Sequence, residues 1–287
     1  MNQLNLFIEL TRLKKPIGYM LLFWPCAWGL TLAYDLSDDL YIYFFYLTLF
    51  FLGSVLMRSA GCIVNDILDR KFDEKVLRTK NRPIASGKIS VKLGLIYSGL
   101  LCTLAFLVLI NFNYFTILIA LASMPLAFTY PLMKRFTYWP QLFLGVTFNY
   151  GLILGWTSIN DEISFVPIFF YLGAIFWTLG YDTIYGFQDI KDDEIIGLKS
   201  TSIKFKSNPN IFLNLCFFTF LSSLIIVGYL EELNKYYFMF CFLIFFQMFY
   251  FQLKKLKFND PESCFKTFKS NNILGLIIFL SLIIGKY

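Results

Sequence analysis

No histidine occurs anywhere in the chain. Imidazole general bases and histidine-containing zinc sites are therefore excluded, and any proton transfer or metal binding must rest on carboxylates, amides, phenols and amines. Charge is scarce too: 15% of the 287 residues are charged, against 57% hydrophobic and 20% aromatic. No charged or Gly/Ser/Pro-rich linker interrupts the chain, so residues 1–287 read as a single domain. The six cysteines stand singly, mostly within apolar runs, and no C-x-x-C is present. They read as packing residues in a reduced or lipid-embedded setting, not as a disulfide frame.

What is present is a series of long hydrophobic runs, the mark of an all-α integral membrane protein. Spans are expected at residues 17–34, 41–64, 93–111, 114–130, 139–158, 165–185, 211–230, 236–253 and 272–285. Ahead of them, residues 1–15 place Leu4, Phe7, Ile8 and Thr11 on one helical face before Arg12, Lys14 and Lys15, as an interfacial amphipathic helix does. No small-x-small cleavage site follows this apolar stretch, so it is expected to stay in the mature protein. The net charge of +6 follows the membrane and does not indicate nucleic acid. No protein partner is indicated either.

The basic residues collect in alternate loops. They are the N-terminal segment, the loop from Arg70 to Lys92, Lys134 with Arg135, the segment from Lys191 to Lys206, and Lys254 to Lys269. The loops at 35–40, 112–113 and 159–164 contain no Lys or Arg. By the positive-inside rule the N-terminus is cytoplasmic and the C-terminus lies across the membrane, which in a bacterium is the inner membrane.

Two acidic stretches open on that cytoplasmic side. The first is RSAGCIVNDILDRKFD, Arg58 to Asp73, in which Arg58, Asn65 and Asp69 share a helical stripe, Asp73 lies a little aside and Asp66 is adjacent. The second is GYDTIYGFQDIKDD, Gly180 to Asp193, where one continuous helix would align Asp182, Gly186, Asp189 and Asp193. Carboxylates aligned in this way repel one another unless a cation lies between them, and Mg²⁺ carried on a diphosphate supplies one. The two stretches recur four spans apart, which suggests two four-helix halves plus one helix, with the site between the halves. Scattered charge on two solvated helix ends is the plainer alternative.

Arg58 and Asp182 each lie about two turns, roughly 10 Å, deeper than the carboxylates above them. Charges at that depth line a cavity or pair with each other. The loop RTKNRPIASG, Arg78 to Gly87, and the segment YPLMKR, Tyr130 to Arg135, bring cations and a hydroxyl to the same side, with Lys199 in GLKST a further cation. These groups suit a diphosphate, although ordinary positive-inside decoration also explains them.

The stretches RLKKPIGYMLLFWPCAWGL, RSAGCIVNDILDRKFD, RTKNRPIASG, YPLMKR and GYDTIYGFQDIKDDEIIGLKST together resemble the UbiA-type intramembrane prenyltransferases. Within that family the KPIG, LLFWPC and RSAGC wording points to the branch acting on 4-hydroxybenzoate. A lysine stands before KPIG where many relatives carry an acid. The resemblance implies a nine-helix fold with a lateral opening to lipid, Mg²⁺ dependence, and transfer of a polyprenyl chain from its diphosphate to the carbon ortho to a phenol, as in ubiquinone biosynthesis. It also implies that Asn65, Asp69, Asp73, Asp189 and Asp193 bind diphosphate through Mg²⁺ and that Arg82, Tyr130 and Lys134 contact it directly; Asp66, beside Asn65, is a further metal candidate, and Asn65 and Lys199 further diphosphate candidates, on the residues themselves. Arg58 and Asp182 would then lie at the aromatic acceptor, with Asp182 orienting the phenol or taking a proton. Other acceptors (homogentisate, dihydroxynaphthoate, haem or a chlorophyll precursor) stay open, as do a transporter and a lipid-phosphate transferase.

Overall fold

The computed structural model describes residues 2–76 and 79–287. Every regular element among them is helical. In chain order they are α1 (Gln3–Thr11), α2 (Ile17–Ala33), α3 (Leu40–Asp73), α4 (Val91–Leu109) and α5 (Tyr114–Thr129). A 3₁₀ turn (Tyr130–Leu132) leads into α6 (Met133–Phe136), followed by α7 (Pro140–Asn160), α8 (Phe165–Gly186), α9 (Ile190–Ile195), α10 (Thr201–Lys204) and α11 (Pro209–Leu230). The chain closes with α12 (Lys235–Phe245), π-helical turns (Phe246–Lys254) and α13 (Pro261–Lys286). Eight helices among the described residues are long and apolar enough to cross a membrane, while α2 is apolar but only 17 residues long. The expected nine spans are thus eight full-length helices and one short one.

The shortest span lies at the centre. α2 packs against α3, α7 and α13, and its contact with α7 joins the two halves of the chain. Glycine makes this crossing possible. A Cβ at Gly29 would stand 2.0 Å from the Leu152 carbonyl oxygen, and one at Gly155 would stand 2.3 Å from that of Cys26. Gly151 and Gly155 form a small-xxx-small pair on α7. Where lipid surrounds a bundle, close backbone approach replaces the hydrophobic effect as the source of cohesion, so these positions carry the packing.

α13 fastens this pair to α8 through polar groups that the membrane interior makes expensive to leave unpaired. Trp24 Nε1 donates to Asn272 Oδ1 at 2.9 Å, Trp28 Nε1 to the Gly275 carbonyl at 3.0 Å, and Trp177 Nε1 to Asn271 Oδ1 at 2.8 Å. Trp28, Trp177, Phe170 and Phe220 stack in the fully buried core between these helices. At the far end Lys286 Nζ donates to the carbonyls of Leu32 (2.8 Å) and Tyr34 (2.6 Å), which places a cation at the negative end of α2. The outer faces of α4, α5 and α12 expose Leu100, Leu104, Leu118 and Phe242, as a lipid boundary requires.

Two expectations change in detail. α1 buries Leu6 and Leu10 against Ala60 and Ile63 of α3, leaving Leu4 exposed, so the helix docks by a different face from the one its periodicity suggested. Arg12, in the left-handed region at φ 56°, ends it. α13 begins at Pro261 instead of residue 272, because polar residues extend a helix that the apolar run alone cannot reveal, whereas α3 runs past its apolar span to Asp73 as the stripe from Arg58 requires.

The α2–α7 crossing yields a first prediction. Gly155→Val should destabilise the protein by about 1–3 kcal/mol through overpacking. Gly53→Val, at a position with open space around it, should change little. Thermal unfolding of both variants in one detergent checks this; equal midpoints would show that the crossing tolerates side chains.

Candidate functional site: an acidic helix end held by cations

α3 is 34 residues long, about 51 Å. Its last three turns extend beyond the apolar run and carry Asn65, Asp66, Asp69 and Asp73. This is an electrostatically poor place for carboxylates. The helix C-terminus already bears partial negative charge, and three acids there raise it further. Cations from three other parts of the chain offset the cost.

Arg12, at the end of α1, donates from Nη2 to Asp66 Oδ1 at 2.7 Å. Arg82 Nη1 reaches Asp66 Oδ1 at 3.3 Å and Asp73 Oδ2 at 2.9 Å. Lys134 of α6 pairs with Asp69 Oδ2. Arg135 donates to the Leu68 carbonyl at 2.6 Å, lies 5.1 Å from the Phe72 ring centroid and stands 3.6 Å from Asp69 Oδ1. Asp66 is 2% exposed, so its two arginines provide its solvation. Arg78, expected in the same loop, lies outside the described residues.

Two side-chain oxygens on this face have no donor. Asn65 Oδ1 and Asp69 Oδ1, one turn apart, are buried acceptors without a hydrogen-bond partner, although Asn65 Nδ2 donates to the Tyr130 hydroxyl at 3.0 Å. Buried acceptors of this kind are uncommon and point to a ligand that supplies positive charge. Among the described residues no three Asp, Glu or Cys side chains are close enough to cage a metal by themselves. That suits Mg²⁺, which takes one or two protein oxygens and completes its shell with substrate phosphate and water.

The second acidic stretch departs from expectation. α8 stops at Gly186, so Asp182, Asp189 and Asp193 do not share one helical stripe. Ser202 Oγ donates to the Thr183 carbonyl at 2.8 Å, taking the acceptor that a continuing helix would give to Phe187, whose N–H turns back to Ile184. A Cβ at Gly186 would stand 2.3 Å from the same hydroxyl. Asp189 sits in the resulting bend as the N-cap residue of α9, and Asp193 lies in that helix's first turn. The bend still leaves them at the end where α3 finishes: Leu198 N donates to the Asp193 carbonyl and Lys199 N to that of Lys134, both at 2.9 Å, and Lys134 holds Asp69. Arg12 and Tyr185 of α8 also lie within electrostatic range.

Lys199 takes part through its backbone. Its ammonium group donates to the Phe136 carbonyl at 3.2 Å and faces the Tyr138 ring. Deeper in the bundle Arg58, Tyr130, Tyr181 and Asp182 lie within electrostatic range of one another. No direct hydrogen bond joins Arg58 to Asp182, and Arg58 Nε is buried without a partner. The structural pair considered from the sequence is therefore not formed.

A family model described as the UbiA prenyltransferase family matches residues 22–283. The chain belongs to the UbiA prenyltransferase family. Among relatives, a Bos taurus protein named mitochondrial 4-hydroxybenzoate polyprenyltransferase is 44% identical over 284 residues, covering 97% of this chain and 75% of that one. A Homo sapiens protein of the same name is 42% identical, with 97% and 75% covered. Among solved structures, the apo form of a UbiA homolog from Aeropyrum pernix K1 superposes with a TM-score of 0.77 at 22% identity, covering 93% of this chain and 98% of that one. A UbiA homolog from Archaeoglobus fulgidus bound to GPP and Mg²⁺ gives 0.73 at 18%, covering 97% and 99%. These likenesses establish the UbiA fold for the whole bundle.

Sequence reasoning missed Arg12 as part of this UbiA site, since orientation alone accounts for it. No local signal identifies it, because the adjacent loop from Arg70 to Lys92 alone carries eight Lys and Arg residues, more than three carboxylates require. Asp66→Ala should leave Arg12 and Arg82 without their shared acceptor and cost about 2 kcal/mol. A shift in the thermal midpoint, together with faster tryptic cleavage after Arg12 and Lys14, checks it.

Proposed function

We propose that this UbiA-family protein transfers a polyprenyl group from polyprenyl diphosphate to the ring carbon ortho to the hydroxyl of 4-hydroxybenzoate, a step of ubiquinone biosynthesis, in a Mg²⁺-dependent reaction. The observation that carries the reading is the pair of orphaned acceptors Asn65 Oδ1 and Asp69 Oδ1 beside Arg82, Lys134 and Arg135, with the Arg58–Tyr130–Asp182 group beneath them. Relatives above 40% identity that carry the 4-hydroxybenzoate polyprenyltransferase name support the choice of acceptor.

Each part of the site has a task in this reaction. Arg82, Lys134 and Arg135 exchange carboxylate partners for diphosphate oxygens, with Tyr130 as a neutral donor. Bound Mg²⁺ would be held by Asn65, Asp66, Asp69, Asp73, Asp189 and Asp193, and would neutralise the charge that develops on the leaving diphosphate. Breaking the C–O bond leaves an allylic cation, and the electron-rich phenol ring attacks it. Arg58 pairs with the benzoate carboxylate, while Asp182 orients the phenol and accepts a proton. The donor's tail stays in lipid. The site opens on the side of the basic loops, which is cytoplasmic if the host membrane is a bacterial inner membrane.

Two predictions follow the two ends of the site. Asn65→Ala and Asp69→Ala should each lower kcat by about 10²-fold or more. They should also weaken Mn²⁺ binding measured by paramagnetic resonance in the presence of a prenyl diphosphate, and chelation should abolish turnover in the wild type. Arg58→Ala should raise the KM for 4-hydroxybenzoate about tenfold or more, leaving that for the prenyl diphosphate unchanged. Product formation from homogentisate but not 4-hydroxybenzoate would reassign the acceptor.

A further inference from the structure

Gly18 is the second residue of α2 and has no positive φ to require glycine. Its missing side chain makes room for a different group. A Cβ at this position would stand 2.8 Å from Arg58 Nε, 3.4 Å from Nη2 and 3.5 Å from Cζ. The same guanidinium carbon lies 5.6 Å from the centroid of the Phe148 ring. Bare backbone from α2 and an aromatic ring from α7 therefore bound one planar cation on α3. Its Nε has no partner although it is buried, and the nearby acid, Asp182, is in electrostatic range without bonding to it. A guanidinium held within a membrane bundle without a bonded acid is costly, and the cost is offset when an anion arrives.

We infer that Gly18 is a positioning residue for the aromatic acceptor: the space it leaves lets the Nε–Nη2 edge of the Arg58 guanidinium lie against bare α2 backbone, and this sets the plane in which the remaining Nη1 side receives the acceptor's carboxylate. This rests on the acceptor reading above. Because the nearest atom to an added methyl belongs to a flexible side chain and not to backbone, Gly18→Ala moves the arginine and leaves the helices where they are. Alanine is also favoured over glycine in a helix, so folding is retained.

The test is steady-state kinetics of the full chain in nanodiscs with both substrates varied, for wild type, Gly18→Ala, Arg58→Ala, Arg58→Lys and the Gly18→Ala/Arg58→Lys double variant. Gly18→Ala should raise the KM for 4-hydroxybenzoate about tenfold, with the prenyl diphosphate KM and the thermal midpoint unchanged. In the Arg58→Lys background, which lacks the planar fork, the same change should add nothing. With 4-hydroxybenzamide as acceptor, which offers no carboxylate, Gly18→Ala and wild type should be alike. An unchanged acceptor KM in Gly18→Ala alongside a raised one in Arg58→Ala overturns the inference and leaves the acceptor reading standing. No effect of Arg58→Ala on the acceptor removes both. A fall in thermal midpoint, or loss of folded protein, in Gly18→Ala shows the glycine to be a packing residue and also overturns the inference.

Discussion

Three carboxylates at the negative end of a membrane helix would repel each other, the helix dipole and any polyanion brought near them. The structure depends on how that repulsion is met. Arg12, Arg82, Lys134 and Arg135 converge on Asp66, Asp69 and Asp73 from three separate parts of the chain. To do so the N-terminal helix must dock on α3, the loop before α4 must fold back over it, and α6 must follow α5 through a single 3₁₀ turn. Much of the basic-side architecture is thus the arrangement that lets four cations reach one helix end.

The same electrostatics prepares the site for a doubly anionic ligand with its metal. Cations held by carboxylates are already desolvated and oriented, so exchanging a carboxylate for a phosphate oxygen costs little reorganisation. Hydrogen bonding is incomplete at two acceptors, Asn65 Oδ1 and Asp69 Oδ1, the second with only the Arg135 guanidinium at 3.6 Å, and these are the oxygens left for a metal. Below, Arg58 keeps an idle N–H where lipid would ordinarily forbid one. The protein therefore carries unsatisfied groups at two levels on the same side of the bundle, with Asn149 Oδ1 and Trp156 Nε1 of α7 also unpaired, while the indole N–H groups of Trp24 and Trp177 are held by Asn272 and Asn271.

Legibility differed by element. The apolar runs are long and regular, so the spans could be placed from hydropathy, and the continuous helix through Arg58, Asn65 and Asp69 followed from 3.6-residue spacing. The same spacing failed for Asp182 to Asp193. There a serine from α10, far along the chain, takes a carbonyl of α8 and ends it at Gly186, and no local pattern announces that event. Lys199 shows the converse: a cation of suitable type in a suitable segment, whose ammonium group is drawn to Phe136 and Tyr138. Residue type and spacing identify candidates for charge chemistry, but the partner is chosen by packing.

The amino-acid order by itself determined that the protein is a helical bundle in lipid, that its basic loops share one side, and that two acidic stretches open there, because hydropathy and charge asymmetry act over the length of a single helix. Tertiary structure alone decided which cation holds which carboxylate, that the second acidic helix bends, and that Gly18 lies against Arg58. Those outcomes depend on contacts between residues tens of positions apart, whose energies exist only once the helices have met.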